Sequence, residues 1–127
     1  MNHDIIREIC DRQPVIIAAY LFGSRAKGDF RPESDIDLAV LLDHNSKSSF
    51  DLLSFINEVE RETRLRADVV ILNNAGEVLK YQVRKYGQLL YDRIPNIRKK
   101  FEIGSRKYFE DFLYLHKKYS EKVLYKR

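Results

Sequence analysis

The chain has 127 residues, enough for one domain with a real core and too few for two. An apolar fraction of 44% and a charged fraction of 33% are those of a water-soluble globular protein, and no apolar run nears the roughly 20 residues of a membrane helix. The net charge of +4 is uneven: residues 1–95 carry 13 basic against 15 acidic groups, a net of −2, while residues 96–127 carry 10 against 4, a net of +6.

The opening Met1-Asn2-His3-Asp4 lacks the basic flank and apolar stretch of a signal peptide. The single cysteine, Cys10, leaves no internal disulfide, and a reducing cytoplasm is the expected setting. Ile5, Ile6, Ile9 and Cys10 recur at helical spacing over residues 3–12, and Gln13-Pro14 ends the pattern. Cys10 reads as a packing residue of that helix. Val15 to Phe22 is an unbroken apolar run rich in β-branched and aromatic residues, which predicts a buried strand ending at Gly23-Ser24. A short helix is expected after it. Residues 29–34 read as a loop, with Pro32 lacking a ladder donor, and Asp35 to Leu42 as a second strand.

Ser48-x-x-Asp51 has the spacing of a capping box, and the helix after it carries Leu52, Leu53, Phe55, Ile56 and Val59 as its expected buried stripe. Ala67 to Leu72 predicts a third strand, Asn73 to Gly76 a turn, and residues 77–86 a short helix with Gly87 as its C-cap. Gln88 to Tyr91 is a last short strand, closed off by Pro95. From Asn96 the chain reads as helix, with Gly104 as a break. Strands alternating with helices predict an α/β domain on a small mixed sheet (residues 1–95) with a C-terminal basic amphipathic helical tail (residues 96–127).

Two segments carry chemistry. Gly23-Ser24-Arg25-Ala26-Lys27-Gly28 follows a buried strand, where main-chain N–H groups and a hydroxyl can meet an anion. Gly23 permits close approach of a phosphate, and Gly28 lets the chain turn away. By itself this is only a Gly-Ser turn. In Ser34-Asp35-Ile36-Asp37-Leu38, Asp35 and Asp37 are two apart on a strand and share a face. Two acids so close repel, and a divalent cation with oxygen ligands, Mg²⁺ above all, is their natural compensator. Alone they could instead cap a loop at the exposed end of the strand. A third acid, Asp68, opens the strand of Ala67 to Leu72. If that strand lies beside Asp35–Leu42, all three carboxylates share one face, and a two-metal site with ions about 4 Å apart becomes possible. Read singly, Asp68 is a partner for Arg64 or Arg66.

Gly23-Ser24, ten intervening residues, then Asp35-x-Asp37 and a later acid on a neighbouring strand resembles the signature of the DNA polymerase β-type nucleotidyltransferase superfamily. Gly-Ser-x-Ala-x-Gly before Ser-Asp-x-Asp-Leu is most like its minimal nucleotidyltransferase (MNT) family, and the likeness covers roughly residues 15–92. The resemblance implies the polymerase β-type fold and transfer of AMP from ATP, with two Mg²⁺ ions. It implies that Gly23 and Ser24 hold the outer phosphates, with Arg25 and Lys27 either adding phosphate contacts or standing in solvent. Asp35 and Asp37 would hold both metals, and Asp68 the catalytic one, while helping to deprotonate the attacking hydroxyl.

Acceptor-binding domains of larger relatives have no room here. The resemblance implies a partner instead: MNT proteins pair with HEPN-domain ribonuclease toxins and act as their antitoxins, in some cases by adenylylating a tyrosine. The HEPN signature, an Arg followed a few residues on by a His, is absent around His3, His44 and His116. Neutralisation by contact alone, a small-molecule hydroxyl such as an antibiotic's, and nucleic-acid end modification are the competing readings. In the tail, Ile97, Phe101, Tyr108, Phe112, Leu115, Tyr119 and Val123 form an apolar stripe on a basic helix. That stripe either packs on the chain's own sheet or docks on a partner or a second copy. Its aromatics fall on the apolar stripe and the body is acidic, which argues against nucleic acid.

Overall fold

The computed structural model describes residues 3–28, 31–32 and 34–125, with side chains as far as residue 120. Helix α1 (His3–Asp11) leads into β1 (Ile16–Phe22), and β2 (Ile36–Leu42) follows the Gly-Ser segment. Then come α2 (Leu52–Thr63), β3 (Ala67–Ile71), α3 (Glu77–Tyr86), β4 (Gln88–Asp92) and α4 (Pro95–Tyr125). The four strands form one mixed sheet in the order β3-β2-β1-β4. β1 runs antiparallel to both β2 and β4, whereas β2 and β3 are parallel, because α2 carries the chain back across the sheet between them.

Side chains of alternate parity leave the sheet on opposite faces, and each face is covered by helices. On one face Ile36, Leu38, Val40 and Leu42 of β2 meet Ile6, Ile9 and Cys10 of α1 and Phe55 and Val59 of α2. Cys10 is fully buried there, as expected for a packing residue, and burial pushes its thiol up to about 12 against the opposing pull of Arg93. On the other face Ala39 and Leu41 join Ile17, Ala18 and Tyr20 of β1, Leu72 and Val83, with Leu79 and Phe101 packed against them. Asp37 has the parity of Ala39 and Leu41, so the acids belong to the face that α3 and the start of α4 cover.

Arg93, just past β4, fastens the sheet to the end of α1. It donates to the carbonyl oxygens of Ile16 at 2.9 Å, Asp11 at 2.9 Å, Gln13 at 3.2 Å and Cys10 at 3.3 Å.

The elements fall where the sequence pattern puts them, with local departures. After Gly23 the chain makes successive turns and no helix: Lys27 N–H donates to Gly23 O and Gly28 N–H to Arg25 O, both at 3.3 Å. The cap of α2 is Asp51, whose carboxylate accepts from Ser54 N–H at 3.1 Å, while Ser48 sits in a preceding 3-10 turn (Lys47–Ser49). Leu53 is exposed, because only Phe55 and Val59 of the expected stripe point squarely at the sheet. Pro95 opens α4, where a missing N–H costs nothing, and α4 runs through Gly104 without a break.

α4 divides into two stretches by what it touches. Near its start, Tyr20 Oη donates to Glu102 Oε1 at 2.7 Å, and Arg98 pairs with Asp92 at 2.9 Å and Glu102 at 3.2 Å. Arg84 donates to Ser105 Oγ at 2.8 Å, and the rings of Tyr81 and Phe109 stack with centroids 4.4 Å apart. Farther along, Phe112, Leu113, Tyr114, Leu115 and Tyr119 are exposed. The apolar stripe is therefore neither wholly packed home nor wholly free: Phe101 is covered, while Tyr108, Phe112, Leu115 and Tyr119 face outward. Ile97 is also exposed, and the side chain of Val123 lies outside the described residues.

Candidate active site at the Gly-Ser turn and the acid edge

The pairing of β2 with β3 on which a shared face for the three acids depends is present, and its register places Asp37 directly beside Asp68. In a parallel pair, neighbours in register project to the same side, so both carboxylates leave the sheet together. Asp35 is two residues before Asp37, just ahead of β2, and is exposed, as is Asp68. Asp37 is the most enclosed of the three. Its carboxyl is held above the ordinary carboxylate value of 3.8, first by burial, then by the charge of Asp68, then by that of Asp35.

Among the described residues, no basic side chain lies at ion-pair distance from any of these three acids. Arg64 and Arg66 therefore do not neutralise Asp68. Among the described residues no three His, Cys, Asp or Glu side chains are gathered closely enough to hold a metal ion, so Asp35, Asp37 and Asp68 share an edge of the sheet without forming a ready-made three-ligand set. Their donor atoms are all carboxylate oxygens carrying uncompensated negative charge. That set fits a hard divalent cation such as Mg²⁺, which would relieve the repulsion that raises Asp37.

β1 delivers the other half. Phe22 pairs with Asp37, so the chain leaves β1 directly over the acid edge. Gly23 has φ +71°, and a Cβ placed on it would collide with the Asp37 carboxylate. Only glycine allows the main chain this close to the acid. Beyond it Ser24 and Lys27 are exposed. The Lys27 ammonium stands 5.5 Å from the centre of the Tyr86 ring, and Phe22, Gly23, Lys27, Gln82 and Tyr86 line a cleft of about 210 Å³. Gln82 and Tyr86 come from α3. Nothing in the sequence marks them beyond their four-residue spacing, which is also that of any helix face.

Arg25 departs from both of its expected settings. It is neither at an open phosphate position nor in solvent, but 5% exposed. Its guanidinium is engaged with the loop before β2, donating to the carbonyl oxygens of Pro32, Ser34 and Asp35. The turn itself is closed by Ser34 Oγ, which accepts from Arg31 N–H at 2.9 Å. Asp29, Phe30 and Glu33 of this loop lie outside the described residues.

A mixed sheet flanked by helices, with a glycine turn lying on an in-register pair of acids, defines the architecture as an α/β domain. The chain belongs to the polymerase β nucleotidyltransferase family, whose model (Polymerase beta, Nucleotidyltransferase) matches residues 4–96. It is similar to the protein adenylyltransferase MntA of Aphanizomenon flos-aquae (strain 2012/KM1/D3), at 29% identity over 98 residues. That alignment takes in 70% of this chain and 65% of the relative, so the chain spans a little under two thirds of the length of this curated protein. The fold also resembles a crystal structure described as a toxin–antitoxin with AMP-PNP, with a TM-score of 0.76 at 23% identity, covering 98% of this chain and 99% of that one. A second, of a tri-AMPylated Shewanella oneidensis HEPN toxin in complex with MNT antitoxin, gives a TM-score of 0.68 at 21% identity, covering 96% and 95%. Among the described residues, no helix is long and apolar enough to cross a membrane.

Proposed function

We propose that this chain is a Mg²⁺-dependent nucleotidyltransferase that moves AMP from ATP to a tyrosine hydroxyl of a HEPN-domain ribonuclease, and so serves as its antitoxin. The observation that carries this reading is the register of Asp37 on Asp68 with the Gly23 main chain laid against the Asp37 carboxylate. The likeness to an adenylyltransferase, and to folds solved as toxin–antitoxin complexes, supports the choice of nucleotide and acceptor.

Asp35, Asp37 and Asp68 are the residues that would hold Mg²⁺, as two ions. Bound there, the metal would supply neutralisation of charge on the α-phosphate and a lowered pKa for the attacking hydroxyl. The chain's own residues do the rest. Gly23 leaves room for the triphosphate over the end of β1, and the exposed Ser24 hydroxyl and Lys27 ammonium meet its outer oxygens. Tyr86 and Gln82 form the far wall of the cleft. Asp68, on the exposed side, accepts the proton of the incoming hydroxyl. The acceptor oxygen bonds to the α-phosphorus, the bond from that phosphorus to the bridging oxygen breaks, and pyrophosphate leaves. The protein's share is positioning and charge compensation.

Residues 1–95 are the catalytic unit in this reading, and residues 96–127 an extension whose first turns are seated on α3 and whose far stretch reaches the partner. One observation favours a second reading, neutralisation by contact alone: the exposed apolar side chains of Phe112 to Tyr119 need no chemistry to cover a partner. A second copy is the other candidate for that surface, and light scattering of the isolated chain distinguishes it. The test is intact mass of the chain and a co-purified HEPN partner after incubation with Mg²⁺ and ATP. AMP increments on the partner that vanish with Asp37→Asn support transfer. A stable complex that neutralises without any increment supports contact alone and removes the transferase reading.

A further inference from the structure

We propose that Arg25 is a positioning residue that locks the acid-bearing loop to the phosphate turn and thereby sets the metal affinity of the site. This rests on the metal-site reading above. Among the described residues, Arg25 is the one charged side chain that is buried, although its neighbours Ser24 and Lys27 are exposed. Its chain neighbours handle the nucleotide, while its own guanidinium reaches seven to ten residues ahead. Nη2 donates to Ser34 O at 2.7 Å and to Pro32 O at 3.0 Å. Nε donates to Ser34 O at 3.1 Å and to Asp35 O at 3.3 Å.

Three carbonyl oxygens thus converge on one planar cation. A guanidinium suits this because its donors point along fixed directions within one plane, whereas an ammonium is a single point. The loop needs such a clamp. Asp35 stands before β2 begins, and on the far side the chain is tied by Ile36 N–H donating to Arg66 O at 2.7 Å. With Arg25 on one side and that bond on the other, the backbone of Asp35 is gripped from both directions. The same residue is covalently joined to Gly23-Ser24, so one side chain fixes the spacing between the two halves of the motif. Without the clamp, Asp35, Asp37 and Asp68 repel one another, and the loop is the part free to give.

The test is Mn²⁺ binding to the nucleotide-free protein, followed by the electron paramagnetic resonance signal of the free ion, in Arg25→Gln, Arg25→Lys and Asp37→Asn. Partners that orient metal ligands are worth roughly 10- to 100-fold in affinity, and Arg25→Gln is expected to weaken Mn²⁺ by about tenfold or more, with Arg25→Lys between it and the wild type. Amide hydrogen exchange at Ile36 should quicken in both, and circular dichroism checks folding. If Arg25→Gln does not fold, Arg25→Lys carries the test, because it keeps the charge and loses the fork. Unchanged Mn²⁺ affinity and unchanged Ile36 protection in a folded Arg25 variant overturn the proposal. An unchanged Mn²⁺ affinity with a raised KM for ATP makes Arg25 a phosphate ligand instead, and also overturns it. Loss of Mn²⁺ binding in Asp37→Asn alone removes this inference and leaves the metal site standing. Full binding in Asp37→Asn as well removes the metal site itself.

Discussion

The two glycines that bracket the phosphate turn allow the proposed site to be tested by a matched pair of substitutions. Gly23 has φ +71° and Gly28 has φ +74°, so an alanine at either is forced into the left-handed region, at a cost of about 1–2 kcal/mol. What differs is the space. Nothing lies within 4 Å of a Cβ at Gly28, whereas at Gly23 the Asp37 carboxylate fills the position, with its Cγ at 3.1 Å and its Cβ at 3.4 Å. The obstructing oxygen is the tip of a side chain with two torsions, so relief comes from rotating Asp37, at a further cost of about 0.5–1.5 kcal/mol. The expected destabilisation is therefore about 1–2 kcal/mol for Gly28→Ala and about 1.5–3.5 kcal/mol for Gly23→Ala, a modest difference. Function should separate them far more. Displacing a catalytic group by about 1 Å costs on the order of 100-fold in rate, which Gly23→Ala should lose and Gly28→Ala should not. Urea unfolding gives the stabilities, and the rate of AMP addition to the co-purified partner gives the activity. Equal rates for the two variants would show that the Asp37 carboxylate need not be where it is, and the reasoning would fail.

Two further outcomes follow from the same geometry. Because burial and the charges of Asp68 and Asp35 raise the Asp37 carboxyl, its ionisation opposes folding. The stability it contributes is present below the ordinary value of 3.8 and is lost as pH rises through its folded value. Asp37→Asn should accordingly raise the urea midpoint at pH 7 without divalent metal, the gain should shrink as pH falls toward 4, and added Mg²⁺ should narrow it. An equal gain at both pH values would contradict this. Truncation after Phe112 keeps the Tyr81–Phe109 stack and the Arg84–Ser105 bond, and the side chains it removes from residues 113–119 are exposed. It should cost under about 1 kcal/mol yet abolish partner capture, measured by calorimetric titration, and retained affinity would show that the distal helix does not dock.

How much of this was legible in the sequence depends on the range over which each feature is determined. β1 and β2 were legible because apolar runs between turn residues reflect burial on both faces, and both faces are indeed covered by helices. Asp68 could be joined to the other acids only on the condition that its strand lay beside β2, which the sequence left open and which the parallel pairing of β2 with β3 meets. Ser48 and Asp51 both suit an N-cap by local rule, and the tertiary path chose Asp51 by spending Ser48 in a 3-10 turn. Gly104 looked like a break because a helical glycine costs about 1 kcal/mol against alanine, but contacts on both sides outweigh it. Phe101 is packed under the sheet and Ser105 is bonded to Arg84, so α4 is held in register across the glycine.

Arg25 marks where sequence reasoning ends. Beside Gly-Ser, an arginine has the chemistry of a phosphate ligand, and nothing local tells a guanidinium that faces a ligand from one that faces its own chain. The deciding information is the loop before β2, whose Pro32, Ser34 and Asp35 carbonyl oxygens all accept from the guanidinium. Pro32 contributes a carbonyl and no N–H, so it offers Arg25 an acceptor without competing for one. The pattern Gly-Ser-Arg followed by a Pro-containing loop and Ser-Asp-x-Asp therefore has an internal logic beyond ligand contact. The first half supplies a donor to the carbonyl oxygens of the second half, including that of Asp35.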